Sequence, residues 1–128
     1  MRNSIKVASS LLLFVSLAHA DQPAYQGKWT GSATNSTGAQ VQVALEIKQT
    51  AGKLRLSQSS GYVTRDECLD RDIPVAITSQ TDSEMIIAIQ GEKALRGCID
   101  ETATLKLVDP KTLQATLKDG RSMKLTHK

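Results

Sequence analysis

Apolar and polar residues alternate with a period of two through most of the chain after residue 26. The clearest case is the segment 41–48, where one face carries Val41, Val43, Leu45 and Ile47. Successive side chains of a strand point to opposite sides of a sheet, so this pattern is typical of a strand with one buried face. No segment has the apolar spacing of a helix longer than a turn. The pattern therefore predicts an all-β fold.

Turn residues separate the alternating segments. Asp119-Gly120 between two such segments is a strong hairpin signal of the type I′ class, and tight turns are also expected at 50–52 and 109–111. Short connections of this kind predict a meander that closes into a small eight-stranded antiparallel up-and-down barrel, a single domain over 21–128. The predicted strands span about 26–34, 40–49, 53–59, 73–78, 84–90, 102–108, 112–118 and 121–126.

Two cysteines test this topology from the sequence itself. In a meander the third and fifth connections lie at the same end, and they hold Cys68 and Cys98 respectively. A bridge between them is therefore geometrically possible, and two cysteines in an exported chain most often pair with each other. We predict one structural disulfide, Cys68–Cys98. The alternative of a redox or metal pair lacks a C-x-x-C spacing and has only His127 as a further soft ligand.

The first twenty residues have the three-part pattern of a secretory signal peptide. Arg2 and Lys6 provide a positive start, an apolar stretch covers 7–17, and Ala18-His19-Ala20 precedes Asp21 as a small-x-small cleavage site. The apolar stretch is too short to span a bilayer, and no cysteine at the cleavage site offers a lipid anchor. We therefore expect a leader over 1–20 and an exported protein, periplasmic or secreted, without a membrane anchor.

The charge balance argues against polyanionic partners. The chain has 16 basic and 13 acidic residues, and loss of Arg2 and Lys6 with the leader leaves 14 against 13. A domain this close to neutrality has no general electrostatic attraction to nucleic acid or to anionic membranes. We expect neither as a partner.

Gly27-Lys28-Trp29 at the start of the first strand resembles the Gly-x-Trp opening of the calycin barrels, which include lipocalins and avidins. In those families the tryptophan closes one end of the barrel and packs against a basic residue of the last strand. The resemblance implies that Trp29 closes this barrel, near 124–127. Lys124 itself has the wrong parity to face inward with Met123 and Leu125.

The ligands of those families do not follow from the resemblance. Avidin-like biotin sites use several tryptophans, whereas Trp29 is the single tryptophan of this chain. The inward positions are mainly Val, Leu, Ile and Ala, and a barrel of eight short strands is just wide enough for such side chains to fill. We expect a packed interior rather than a cavity.

No pattern of residues points to catalysis. The H-E-x-x-H, P-loop and dinucleotide motifs are absent from the sequence. His127 lies beside the last residue, where fraying would prevent the positioning that a general base needs. We expect no enzymatic activity, no catalytic residue and no cofactor.

Charged residues concentrate around the two cysteines. Carboxylates cluster in 65–72, and Asp100-Glu101 follow the second cysteine. An oxygen-ligand cation site is one interpretation, but the EF-hand spacing is missing. The other interpretation is a solvated loop pair in which arginines neutralise the acids, and it leads us to expect no metal. The arginines available for this are Arg65, Arg71 and Arg96.

These features predict a non-enzymatic binding module that uses the charged loops at one end of the barrel on a protein or other polar partner. One alternative is a periplasmic inhibitor or immunity protein against a cell-wall hydrolase or toxin, by analogy of size and compartment. Another is a carrier of small apolar ligands. The predicted contact residues are Arg65, Asp66, Arg71, Arg96 and Asp100.

The fourth and fifth strands carry two irregular features. Pro74 removes a ladder donor, which indicates a strand start, a bulge or an edge. Ala76, Ile86 and Ala88 face outward and form an apolar patch that could serve a partner or a homodimer, unless a loop or the chain terminus covers it. Separately, Asn35-Ser36-Thr37 matches the N-glycosylation sequon.

Overall fold

A computed structural model describes residues 23–34, 38, 40–58 and 66–128. Eight antiparallel strands, each paired with its neighbours in chain order, close into a barrel, which confirms the predicted meander. The predicted strand bounds agree with the observed ones to within two residues. The strands are β1 Gly27–Thr34, β2 Gln40–Lys48, β3 Ala51–Gln58, β4 Asp72–Gln80, β5 Met85–Gln90, β6 Asp100–Asp109, β7 Thr112–Leu117 and β8 Ser122–His127.

Helical structure in the described residues is limited to two short turns. A 3-10 turn covers Pro23–Tyr25, and a four-residue helix, α1, covers Gly91–Ala94 between β5 and β6. The expected leader over 1–20 and the sequon at 35–37 lie outside the described residues.

Pairing of the first and last strands closes the barrel. Trp29 is in register with His127, and Thr30 with Thr126. At Gly31 the two strands approach so closely that a Cβ atom would lie 2.5 Å from the carbonyl oxygen of Lys124. Glycine is therefore required at this position for β1 to reach β8.

The inward positions of all eight strands form one apolar core. Among the described residues no charged side chain is buried, and the core includes the hydroxyl of Tyr25 and the indole N–H of Trp29. Large side chains from facing strands fill the barrel, as the sequence predicted for eight short strands. The core consists of Tyr25, Trp29, Val41, Val43, Leu45, Ile47, Leu54, Leu69, Ile73, Val75, Met85, Ile87, Ile89, Ala103, Leu105, Leu113, Ala115 and Leu125.

The two ends of the barrel differ. We call the end with the connections 35–39, 59–71, 91–99 and 118–121 the looped end, and the end with 49–50, 81–84 and 110–111 the turn end. The β2–β3 turn begins one residue earlier than predicted, at Gln49, whose φ is 62°. Gln26 holds this residue from both sides, because its amide donates to Gln49 O and accepts from Gln49 N.

The turn between β7 and β8 is not of type I′, so that prediction was wrong. A type I′ turn needs positive φ at both Asp119 and Gly120, and only Gly120 has it, at 97°. The N–H of Gly120 donates to Leu117 O at 2.9 Å, and the N–H of Leu117 donates to Arg121 O at 2.7 Å. This is a type I turn followed by a glycine bulge.

Pro74 lies near the start of β4, as one of the three interpretations expected. It is in register with Lys53 of β3, and the ladder from β4 to β5 begins only at the next residue, Val75, opposite Ile89. The bulge of this strand lies further along, between Ile77 and Ser79. Pro74, which has no N–H to donate, thus lies just before the ladder between β4 and β5 begins.

Candidate functional site

A disulfide joins the two longest connections at the looped end. Cys68 and Cys98 are bonded with a Cα–Cα distance of 5.8 Å, and no described cysteine is free. This confirms the predicted pairing and its place in the topology. The bridge connects the segment 66–71 to the turn that follows α1.

Segment 66–71 is folded around its own backbone. The Asp66 carboxylate accepts a hydrogen bond from Cys68 N at 2.9 Å, and Asp66 O accepts one from Leu69 N at 3.2 Å. Leu69 is buried and joins the barrel core. Asp70 has a φ of 58°, and its N–H donates to Leu56 O of β3. The segment is therefore anchored to the barrel through Leu69 and Asp70.

Two arginines fasten this segment from its sides. The Arg71 Nε donates to Glu67 O at 2.6 Å. From β3, the Arg55 guanidinium donates to Asp70 O at 2.8 Å and pairs with Asp72 at 3.0 Å. Arg71, a predicted contact residue, thus holds its own segment. Arg55 was not predicted as part of this end, because its partners are distant in sequence.

The connection from α1 to β6 forms a largely exposed turn, 95–99, which we call the clamped turn. The N–H of Cys98 donates to Leu95 O at 3.0 Å, and Gly97 has a φ of 98°, as the third residue of a type II turn requires. Arg96 is exposed, and the side chain of Ile99 is 76% exposed. The disulfide at Cys98 fixes the base of this turn.

Asp100 stabilises the approach to the clamped turn. Its carboxylate accepts a hydrogen bond from the N–H of Glu92 at 2.9 Å, in the first turn of α1. This contact ties α1 to the start of β6, so that the connection is fastened at both ends. Asp100 therefore positions the connection with one carboxylate oxygen and leaves its side chain exposed.

The expected charge neutralisation by the loop arginines is wrong for the two that the structure describes. Neither Arg71 nor Arg96 forms an ion pair with a described residue. Arg121 instead pairs with Glu101 at 3.5 Å and with Asp119 at 2.8 Å. The backbone N–H of Arg121 is the main cause that lowers the pKa of the Asp119 carboxyl, and the Arg121 side chain lowers it further. The sequence missed the pairing of Arg121 with Glu101 because these two residues are 20 positions apart and meet only in the folded barrel.

The structure brings four of the five predicted contact residues to the looped end. Asp66 and Arg71 lie on one side of the disulfide, and Arg96 and Asp100 lie on the other. Arg65 lies outside the described residues. Within the described part of the chain, no three acidic, histidine or cysteine side chains are grouped closely enough to hold a metal ion.

At the turn end, Trp29 is held by two groups. Its Nε1 donates to Tyr25 O at 3.0 Å, and its ring meets the His127 ring at a centroid distance of 4.7 Å. His127 Nε2 lies 3.1 Å from Gln26 O, and the N–H of the following residue, Lys128, bonds Lys28 O. The predicted fraying of His127 is therefore wrong. The available signal was parity, because His127 shares a face with the inward residues of β8.

The outward apolar patch is half-buried. Ala76 is in register with Ala88, and Ile86 lies opposite Ser79 and Thr104. All three patch residues have intermediate exposure. The homodimer through this patch stays a prediction.

Among the described residues no helix is long and apolar enough to cross a membrane. Comparison of the chain with protein-family models, with curated protein sequences and with solved structures gives no match.

Proposed function

We propose that this protein is an exported, non-enzymatic binding module whose clamped turn contacts a protein partner. The observation that carries the proposal is the state of Arg96. Its guanidinium is exposed and has no ion-pair partner among the described residues, yet the backbone that presents it is fixed by a disulfide and by the hydrogen bond within the turn. The backbone that presents this charge loses little conformational freedom on binding, which favours recognition.

The remaining described contact residues support this turn rather than compete with it. Asp100 ties α1 to β6, Asp66 organises the backbone next to Cys68, and Arg71 holds the carbonyl of Glu67. Each also has exposed or partly exposed atoms at the looped end, so each can still meet a partner at the rim of an interface. Arg65 stays a predicted contact residue.

An inhibitor or immunity protein for a cell-wall hydrolase or toxin is the second candidate. An exposed turn that presents an arginine fits an acidic cleft, and glycoside hydrolases use paired carboxylates in such clefts. The candidate predicts that wild-type protein slows a peptidoglycan hydrolase and that Arg96→Glu does not. A carrier of apolar ligands is less favoured, because large apolar side chains occupy the barrel interior.

Export and the calycin resemblance are part of the same proposal. The disulfide is consistent with an oxidising compartment, which is where the predicted leader would direct the chain. The contact between Trp29 and a last-strand residue is consistent with a calycin-like closure, with His127 in place of the usual basic residue.

The proposal is tested by capture of partners from an envelope extract with protein purified after export. Arg96→Glu reverses the exposed charge, and Lys111→Glu makes the same reversal in an exposed residue at the turn end. Lys53 is a poorer control, because it pairs with Glu46 and Asp72. We expect a partner that the wild type and Lys111→Glu retain and Arg96→Glu loses. Retention by Arg96→Glu together with loss by Ile86→Asp would assign binding to the outward patch instead.

A further inference from the structure

An open groove crosses the outer wall of the barrel below the clamped turn. It has a volume of about 580 Å³ and runs from the ends of β5 and β6 to the β7–β8 turn. Small or uncharged side chains, Ala88, Gln90 and Thr102, contribute to its lining from the two strands. Ala88 also belongs to the outward apolar patch, so the patch continues into the groove.

Ile99 forms the apolar side of this groove. Only two large hydrophobic residues of the described chain are exposed, Ile99 at 76% and Val108 at 55%, and they lie near opposite ends of β6. Ile99 follows the disulfide-bonded Cys98, and its carbonyl packs so closely on Gly91 that no side chain would fit there. The backbone that presents Ile99 is thus held on both sides.

Most charged residues of the groove lining are acidic. The lining includes Asp100, Glu101 and Asp119 against one ammonium group, that of Lys118. Arg121 pairs with Glu101 and Asp119, so that Asp100 is the lining carboxylate without an ion-pair partner among the described residues. An occupant that combines an apolar surface for Ile99 with a positive charge for Asp100 complements the groove.

We propose that the groove binds an extended segment of a protein partner that carries a Lys or Arg beside an apolar side chain. The apolar side chain packs on Ile99 and Ala88, and the cation pairs with the carboxylate of Asp100. This inference rests on the proposed function and names the chemistry of its partner. Arg96 then makes a separate contact above the groove.

The test uses the full exported protein labelled with ¹⁵N and three synthetic peptides. They are acetyl-Lys-Leu-Lys-Leu-amide, the same peptide with Glu in place of Lys, and the same peptide with Ser in place of Leu. We expect saturable shifts of the Gln90, Ile99 and Thr102 amides with the Lys/Leu peptide alone. Shifts of equal size with the Glu/Leu peptide would overturn the proposal. So would a Lys/Leu titration in which the amides of Gln90, Ile99 and Thr102 do not shift.

Matched variants separate this groove from the clamped turn. Ile99→Ser removes the apolar wall and should weaken binding of the Lys/Leu peptide by about tenfold, the effect of losing one apolar side-chain contact. Val108→Ser removes the other exposed apolar side chain and should leave binding unchanged. Arg96→Ala should also leave peptide binding unchanged. If Val108→Ser and Ile99→Ser act alike, the groove is not the site, whereas loss of partner capture by Arg96→Glu would still support the proposed function.

Discussion

The imidazole of His127 meets the indole of Trp29 edge to face, with an angle of 83° between the rings and 4.7 Å between their centroids. The two residues are in register across β1 and β8, so the contact lies where the barrel closes. The backbone carbonyl oxygen of Gln26, just before β1, lies within hydrogen-bond distance of the Nε2 atom of the histidine ring. The last strand is thus held by a side-chain contact as well as by its ladder.

His127→Ala should therefore destabilise the fold. It removes an aromatic pair worth about 0.5–1.5 kcal/mol and a hydrogen bond worth about 1 kcal/mol. We expect the free energy of unfolding in urea to fall by roughly 1.5–2.5 kcal/mol. Thr126→Ala, at the exposed neighbouring position of β8, is the control and should change stability by less than about 0.5 kcal/mol. Equal effects of the two variants would show that the ring contact does not stabilise closure.

Removal of the disulfide should lower stability and loosen the clamped turn. The bridge spans a sequence separation of 30, and loss of such a bridge from a small exported domain costs about 2–5 kcal/mol. The Cys68→Ala/Cys98→Ala double variant should show this loss in denaturant unfolding. Added reductant should destabilise the wild type to a similar extent and leave the double variant unchanged. The prediction would be contradicted if reductant did not change the unfolding midpoint of the wild-type protein.

Tyr25 should make the protein sensitive to alkali. Burial raises the pKa of its phenol, and the charge of Glu84 adds to the rise, while the backbone of Leu107 offsets part of it. The neutral phenol is thus favoured in the folded state. Its contribution to stability is complete below the unfolded-state pKa of about 10 and is lost as pH rises through the higher folded-state pKa.

Tyr25→Phe tests this directly. The Tyr25 hydroxyl is buried without a partner in hydrogen-bonding geometry among the described residues, so its removal should leave stability at neutral pH equal or higher. Above pH of about 10, the variant should lose less stability than the wild type in urea unfolding. A parallel decline of both proteins would show that another group causes the alkaline sensitivity.

The barrel could be predicted because its signals are local. Alternation within each strand and turn residues between strands give the meander, and its connection order then places Cys68 and Cys98 at one end. The turn type at Asp119 could not be predicted from the Asp-Gly pair alone. A glycine with positive φ suits a type I turn with a bulge as well as a two-residue type I′ turn, and here the Asp119 carboxylate accepts a hydrogen bond from Arg121 N in the bulged form.

The charge pairing of the looped end could not be predicted for a different reason. Nearby arginines were expected to neutralise the acids, whereas Arg55 reaches Asp72 across 17 positions and Arg121 reaches Glu101 across 20. These ion pairs depend on strand register, that is, on which residues of neighbouring strands lie opposite each other. The alternation pattern does not define this register away from the hairpin turns. For His127, by contrast, the parity of β8 was a usable signal that the expectation of a frayed terminus overlooked.

Arg71 and Arg96 should differ in their effect on stability although both lie at the looped end. Arg71→Ala removes a hydrogen bond to Glu67 O and should lower the free energy of unfolding by about 0.5–1.5 kcal/mol. Arg96→Ala removes an exposed side chain without a described partner and should change it by less than about 0.5 kcal/mol. Chemical denaturation of both variants measures the difference. Equal losses would show that Arg96 has a structural role as well.

Asp119 should titrate below the usual range of an aspartate. The backbone N–H of Arg121 is the main cause of the lowered pKa, and the Arg121 guanidinium, 2.8 Å from the carboxylate, adds to it. The carboxylate form therefore contributes to folding above the unfolded-state pKa of about 4, and this contribution is lost as pH falls through the lower folded-state pKa. Arg121→Ala keeps the backbone donor, so the pKa of Asp119, followed by NMR of its carboxyl carbon, should rise only part of the way. A complete return of the Asp119 pKa to its usual value would assign the shift to the Arg121 side chain. In a separate measurement, Asp119→Asn should remove the corresponding acid-dependent loss of stability.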